Sequence, residues 1–158
     1  MGRWVRGAAI AVGAAALAAP PAATAGVIFG GVTSQREPIV VEVSPGRAKV
    51  TEVRWEWRAR CTLGPAAPAG TPTTTAWSDT AGPYPIDRRG RWRGNFSAGP
   101  FVKDAATGIT ETFTYRLNGT LVQGGTRMRG TFRATYTESS PAGTIRACAS
   151  GTTYVIKD

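Results

Sequence analysis

Residues 110–138 read TETFTYRLNGTLVQGGTRMRGTFRATYTE, and this stretch decides the fold class. Apolar and polar side chains alternate over Thr110–Val122 and again over Thr126–Glu138. A period of two is the period of a β-strand, because successive side chains point to opposite faces. The glycine-rich triplet between the two runs is typical of a hairpin turn. We therefore predict an antiparallel β-hairpin over this stretch.

The same pattern extends outward in both directions from the hairpin. Apolar residues at helical spacing are nearly absent from residue 26 onward, while short alternating runs separated by Gly and Pro recur. The further predicted strands are Val27–Ser34, Pro38–Val43, Lys49–Thr62, Thr74–Thr80, Tyr84–Asp87, Arg91–Ser97, Thr144–Ala149 and Thr152–Lys157. Strands joined mostly by short turns predict one all-β domain, an antiparallel meander that is either a β-sandwich or a flattened up-and-down β-barrel.

The third strand, VTEVRWEWRARC at residues 50–61, separates its two faces sharply. From Val53 to Cys61 every second side chain is apolar, and the intervening side chains are charged. This alternation places tryptophan inside and arginine outside. Applied to all strands, the same phase predicts a core that contains Trp55, Trp57, Trp92, Phe96, Phe113, Tyr115, Phe132 and Tyr136.

The first 25 residues have the form of a secretory signal peptide. Arg3 and Arg6 precede the uncharged apolar run Ala8–Ala19, and Ala23–Ala25 ends in a small-x-small pattern. The apolar run is shorter than the roughly 20 residues that span a bilayer. We expect cleavage after Ala25, a mature domain at residues 26–158, and secretion to the extracellular side.

The expected mature chain is strongly basic. Of the 19 basic residues, Arg3 and Arg6 lie in the expected leader, which leaves 17 against 10 acidic residues and a formal charge of +7. Such a charge suits anionic partners, such as anionic polymers or components of a cell surface. The alternative explanation is that the basic charge reflects a biased amino-acid composition and serves only to keep the surface solvated.

Two cysteines, Cys61 and Cys148, are present in the sequence. In an oxidising compartment an even pair predicts a disulfide, here across 87 residues of separation. The alternative, two metal-bound or catalytic thiols, lacks supporting residues: there is no histidine and no other cysteine. No metal site and no cofactor is predicted.

The absence of histidine also limits catalysis. Ser-His-Asp and Cys-His arrangements cannot be built, and no glycine-rich phosphate loop precedes a helix. Carboxylate pairs are the remaining route, but Glu52 and Glu56 lie about 13 Å apart along a strand. The other candidates, assigned to turn or surface roles, are Asp87, Asp104, Glu111 and Glu138. We expect no catalytic residue and a non-enzymatic protein, with a carboxylate-based hydrolase as the weakest alternative.

Outward-facing arginines are the leading functional candidates. The proposed anion-binding face comprises Arg54, Arg58, Arg60, Arg91, Arg93, Arg127, Arg129 and Arg133, with Arg116 beside them. Guanidinium groups bind anionic groups through charge and paired hydrogen bonds. The strand aromatics point inward, so no stacking platform for bases is visible and no specific nucleic-acid partner is expected. Ordinary cross-strand ion pairs with Glu52 and Glu56 are the competing explanation.

Inward-facing glycines raise a second hypothesis. Gly94, Gly119 and Gly130 each stand between two apolar residues at alternate positions, so all three face the core. A row of inward glycines leaves space. We expect Trp55 and Trp57 to fill that space. The alternative is a cavity lined by these residues, as in a β-barrel carrier of a small apolar ligand.

One further set of features spans the chain: Gly31–Gln35, a strand that ends in Cys61, the triplet Gly90–Trp92, repeated Gly-Thr-apolar steps, and Cys148–Gly151. In this set the sequence resembles a group of small secreted actinobacterial β-rich proteins. The resemblance covers nearly all of residues 26–158, and Tyr154 stands where the group often has tryptophan. The resemblance implies an all-β fold, the cysteine pair and an extracellular compartment, and it transfers no catalytic residue.

Overall fold

A computed structural model describes residues 26–158, and the predicted signal peptide lies outside the described residues. Two three-residue 3-10 turns, Pro45–Arg47 and Gln123–Gly125, accompany nine β-strands. The strands are β1 Val27–Val32, β2 Pro38–Val43, β3 Lys49–Leu63, β4 Thr74–Ala81, β5 Tyr84–Pro85, β6 Arg91–Asp104, β7 Ile109–Val122, β8 Arg127–Ser140 and β9 Gly143–Lys157. The all-β prediction and the central hairpin, β7–β8, are confirmed.

All nine strands belong to one antiparallel sheet. Its order is β4-β3-β2-β1-β9-β8-β7-β6, and short β5 pairs with β3. Most neighbours in the sheet are also neighbours in sequence, as a meander requires. The sheet folds back on itself, because rings on β3 contact rings on β7 and β8 across the core. A single rolled sheet is closer to the expected flattened barrel than to a sandwich of two separate sheets.

β3 and β9 meet directly at one end of the roll. Arg60–Leu63 pair with Arg146–Ala149, so Cys61 stands opposite Cys148. The two sulfur atoms are bonded at 2.02 Å, which confirms the predicted disulfide. The bond therefore links two adjacent strands that are far apart in sequence, at the point where the sheet closes on itself.

Above this junction, the turn between β1 and β2 fills the gap between β3 and β9. The Gln35 amide nitrogen donates to the Arg58 carbonyl at 3.0 Å and to Ser150 Oγ at 3.1 Å, and its amide oxygen accepts from Arg58 N at 3.2 Å. Ser34 N donates to the Thr153 carbonyl at 2.8 Å. Side-chain and backbone groups of the turn thus form the hydrogen bonds that these parts of β3 and β9 would otherwise make with a neighbouring strand.

Two predicted strand boundaries are wrong by more than two residues. β9 runs unbroken through Ser150 and Gly151, where a turn was expected, because its entire length pairs with β8. β6 continues beyond Ser97 to Asp104, with register shifts against β7 around Gly99–Pro100. Glycine and proline favour turns locally, but pairing with a long neighbouring strand prevailed at both places.

Aromatic side chains fill the core. Trp57 is fully buried and stacks on Trp77 of β4, with ring centroids 4.5 Å apart. Most of the predicted core aromatics are buried, whereas Phe113 is half-buried. Phe96 is the error: it is 44% exposed, because β6 is an edge strand and leaves one side of the ring open.

Candidate functional site

The arginines of β3 are largely neutralised by glutamates. Arg54 forms ion pairs with Glu42 and Glu52, and Arg58 pairs with Glu37. The hydrogen bond and the charge of Glu52 raise the pKa of Arg54. Arg54 and Arg58 therefore present little free positive charge, and the competing explanation of ordinary ion pairs holds for this part of the predicted face.

The outer side of β6, β7 and β8 has the opposite character. Four exposed arginines on these strands form no ion pair with any residue that the structure describes, and we call them the arginine face: Arg93, Arg116, Arg129 and Arg133. Arg116 lies directly opposite Arg133 in the β7–β8 register. Directly opposed like charges destabilise a sheet, so this pairing has a cost that no neighbouring carboxylate offsets.

Neutral polar side chains occupy the positions between these arginines. Asn118 Nδ2 donates to Thr131 Oγ1 at 2.7 Å, and the hydroxyls of Thr114 and Thr135 are 2.6 Å apart. The face is a shallow depression of about 980 Å³, lined in part by Arg93, Arg116 and Arg133. Its groups can donate hydrogen bonds to anionic and hydroxylated ligands.

The remaining predicted members of the face lie at its margins. Arg91 is paired with Asp87 at 2.9 Å, at the start of β6. Arg127 lies opposite Lys157, at the far end of β8. Arg60 is exposed on β3, opposite Ala149 of β9, and has no ion pair within residues 26–158. The structure thus divides the predicted face into three paired arginines, Arg54 and Arg58 on β3 and Arg91 on β6, and an unpaired group centred on β7 and β8, with Arg60 unpaired at the end of β3.

The inward glycine row is covered by aromatic rings. A Cβ atom on Gly94 would overlap the ring of Tyr84, one on Gly119 would overlap Trp92, and one on Gly130 would overlap Tyr154. The expectation that Trp55 and Trp57 fill this space is wrong. Both tryptophans pack elsewhere, 5.4 Å from Phe132 between ring centroids. β5 carries Tyr84 into the space instead, and sequence alternation alone gives no sign of this placement.

A polar cluster inside the roll was missed by the sequence analysis. Glu138 is buried; it accepts hydrogen bonds from Lys103 at 3.1 Å and from Arg146 at 2.8 Å, and the Tyr136 hydroxyl oxygen lies 3.2 Å from it. The Tyr136 hydroxyl also lies 2.9 Å from Glu111. The surface role assigned to Glu138 is therefore wrong. The strand alternation could have predicted this burial, because Glu138 stands two residues after the inward-facing Tyr136 and so points to the same face.

Opposing effects set the ionisation of this cluster. Burial alone raises the pKa of Glu138, but hydrogen bonds and charge from Lys103 and Arg146 outweigh it and lower the pKa overall. Burial and the hydrogen bond to Glu111 raise the pKa of Tyr136. The carboxylate is thus held ionised and fully engaged, the opposite of the raised pKa that a general acid needs.

The turn roles predicted for the other two carboxylates are confirmed. Asp87 accepts hydrogen bonds from the backbone nitrogens of Arg89 and Arg91, at 2.8 and 2.9 Å. Asp104 accepts from Ala106 N at 2.9 Å and from the Thr107 hydroxyl at 2.7 Å. These contacts lower the pKa of both carboxyl groups.

Within residues 26–158, no group of three or more His, Cys, Asp or Glu side chains is placed to hold a metal ion, and no helix is long and apolar enough to cross a membrane. Comparison of the chain with protein-family models, with curated proteins and with solved structures found no match. The candidate site therefore rests on the geometry of this chain alone.

Proposed function

We propose that this protein is a secreted or cell-envelope binding module that holds anionic polymers on its arginine face. The observation that carries the proposal is the direct opposition of Arg116 and Arg133 without a carboxylate nearby. On β3, glutamates neutralise comparable arginines. A sheet that leaves one set of arginines unpaired, at a cost in stability, is suited to an anion that supplies the missing charge.

The chemistry of the face favours carboxylate, sulfate or phosphate groups. Each guanidinium group can donate two parallel hydrogen bonds to such a group. Adjacent strands lie about 4.8 Å apart, so Arg116 and Arg133 are close enough to contact one anionic group or two successive groups of a polymer. The predicted charge of +7 would also accelerate encounter with polyanions at low ionic strength.

The other two hypotheses receive less support. The glycine row that motivated a ligand carrier is covered by Tyr84, Trp92 and Tyr154. The carboxylates Glu111 and Glu138 share the Tyr136 hydroxyl, but Glu138 is engaged by two cations and its pKa is lowered. Export rests on the predicted signal peptide, and the disulfide is compatible with an oxidising compartment.

Heparin affinity with charge-reversal variants tests the proposal. The Arg116→Glu/Arg133→Glu variant should elute from immobilised heparin at much lower salt than the natural sequence. Arg88→Glu/Arg89→Glu is the matched control: it changes the net charge equally, at exposed residues of the turn before β6 that do not line the depression. If both variants lose retention equally, binding reflects net charge alone and the proposed site is refuted.

A further inference from the structure

The arginine face continues across β9 toward β3. Gly151 of β9 lies opposite Arg133, and Ala149, two residues earlier, lies opposite Arg60 of β3. All four residues are exposed on the outer side of the sheet. Arg133 and Arg60 are therefore separated by one strand whose outward side chains between them are a methyl group and a hydrogen atom.

The space above β9 is open. A Cβ atom placed on Gly151 would meet only one atom within 4 Å, Cγ of Arg133 at 4.0 Å. A second depression, of about 880 Å³, is lined in part by Arg60, Ala149 and Gly151, while Arg133 belongs to the first. The two depressions share no lining residue, but Arg133 of the first lies directly opposite Gly151 of the second, and no large side chain stands between them.

Charge sets the ends of this surface. Beyond Arg60 on β3, Arg58 is already paired with Glu37, and Glu56 follows on the same outer side. The outward positions of β7 from Thr110 to Thr120, and those of β8 from Arg127 to Thr137, carry threonine, asparagine and arginine and no carboxylate. The unpaired positive charge therefore runs across the strands from Arg93 to Arg60 and stops there.

We infer that these residues form one track, from Arg93 through Arg116 and Arg133, over Gly151 and Ala149, to Arg60, and that it binds a single acidic polysaccharide chain lying across the strands. The inference rests on the proposed function and names its partner. Four strand spacings of about 4.8 Å give the track a length of roughly 19 Å, long enough for an oligosaccharide rather than one sugar.

An acidic polysaccharide fits the track better than a nucleic acid. Single-stranded nucleic acids are held by aromatic side chains on which the bases stack. The outward residues of the track are arginine, threonine, asparagine, alanine and glycine. Aromatic residues do line the two depressions, Phe96 and Tyr115 in the first and Trp57 and Trp77 in the second, but each pair is already stacked together. Phe96 is exposed at the edge of β6, but its ring is already stacked on Tyr115 at 5.1 Å. Threonine and asparagine side chains suit the hydroxyl groups of sugars.

Two variants test the track at β9 and β3, with calorimetric titration of a heparin decasaccharide and of a sulfated heparin disaccharide. Arg60→Glu reverses one charge at the end of the track. Gly151→Val places a larger side chain in the open space above β9, between Arg133 and Arg60. Valine is compatible with the backbone there, since Gly151 lies in a strand and has no positive φ. Each should weaken decasaccharide binding by roughly tenfold and leave disaccharide binding unchanged, because a short ligand needs only Arg116 and Arg133.

Matched controls exist elsewhere on the molecule. Arg88→Glu makes the same charge change as Arg60→Glu at an exposed turn, and Gly30→Val makes the same substitution at an exposed β1 position with open space around it. Neither control should alter decasaccharide binding. The melting temperature of each variant verifies that it is folded before binding is compared.

The outcomes separate the track from the proposed function. If Arg116→Glu/Arg133→Glu weakens both ligands while Arg60→Glu and Gly151→Val change neither, the track is refuted and the anion-binding face stands. If Arg116→Glu/Arg133→Glu also has no effect, the proposed function fails, and the track with it. Tighter binding of oligo-dT than of the decasaccharide, dependent on Arg60 and Gly151, would overturn the assignment to polysaccharide.

Discussion

We expect the Glu138 side chain to contribute both to the stability of the fold and to the dependence of that stability on pH. It is buried among Lys103, Arg146 and Tyr136, and the two cations each donate a hydrogen bond to it. Arg146 is itself largely buried, with 13% of its side chain exposed. Removal of the carboxylate charge would leave that guanidinium group without its partner, and an uncompensated buried charge is costly.

We therefore expect Glu138→Gln to lower the free energy of unfolding by roughly 3 kcal/mol, because a buried ion pair loses one member. Urea denaturation at neutral pH measures the change. Asp104→Asn is the control, since Asp104 is an exposed turn residue and should have a smaller effect. Equal destabilisation by both substitutions would show that Glu138 contributes no more than a turn carboxylate.

The pH dependence of the same residue has a definite sign. The folded state lowers the pKa of Glu138 from its usual value near 4.5. Its stabilising contribution is then fully present above that usual value and is lost as the pH falls through it toward the lowered pKa. The difference in free energy of unfolding between the natural protein and Glu138→Gln should therefore become smaller as the pH falls below about 4.5. Urea midpoints that change in parallel with pH for the two proteins would contradict this assignment.

At the scale of the elements, the junction of β3 with β9 holds the roll closed. The disulfide fixes one end, and the turn that contains Gln35 fills the space above it. Neither contact is local in sequence: Gln35 and Ser150 are 115 residues apart. The junction therefore depends on side chains that replace a missing stretch of strand pairing, and it can be weakened by single substitutions.

Gln35→Glu is the most informative substitution at this junction. Glutamate keeps the size of the side chain and can still accept from Arg58 N, but it cannot donate to the Arg58 carbonyl or to Ser150 Oγ. Loss of two donor bonds should lower the free energy of unfolding by about 1–3 kcal/mol. Hydrogen exchange should rise at Arg58 N and Thr153 N ahead of the rest of β3 and β9; uniform exchange would argue against a local role.

The disulfide makes a separate contribution to the same junction. A closed loop across 87 residues of separation gives roughly 4–5 kcal/mol in the chain-entropy treatment. Replacement of both Cys61 and Cys148 by alanine should lower the free energy of unfolding by about 2–5 kcal/mol. Alkylation of the unreduced natural protein should label neither thiol. Two labelled thiols would refute the disulfide, and an unchanged urea midpoint in the variant would refute its contribution to stability.

The fold of the whole molecule followed from local alternation much more readily than its site did. Strand positions and the β7–β8 hairpin depend on neighbouring residues, so the sequence pattern predicts them. Pairing partners of distant strands do not follow from such a pattern. Alternation placed Arg58 and Arg133 alike on the outer side. The β7–β8 hairpin sets Arg133 opposite Arg116, whereas only the folded turn between β1 and β2 brings Glu37 to Arg58. Sequence could thus define the candidates but could not separate paired arginines from free ones.

The uneven distribution of charge over the molecule makes its stability depend on the ions around it. Repulsion within the arginine face opposes folding, so a polyanion that binds this face should stabilise the protein by mass action. At a heparin oligosaccharide concentration of ~100 Kd, the expected gain is about 2.7 kcal/mol. Thermal unfolding with and without the oligosaccharide measures it. Arg116→Glu/Arg133→Glu should lose the gain and Arg88→Glu/Arg89→Glu should keep it, whereas an equal gain in both would mean that the whole basic surface, rather than the arginine face, binds the polyanion.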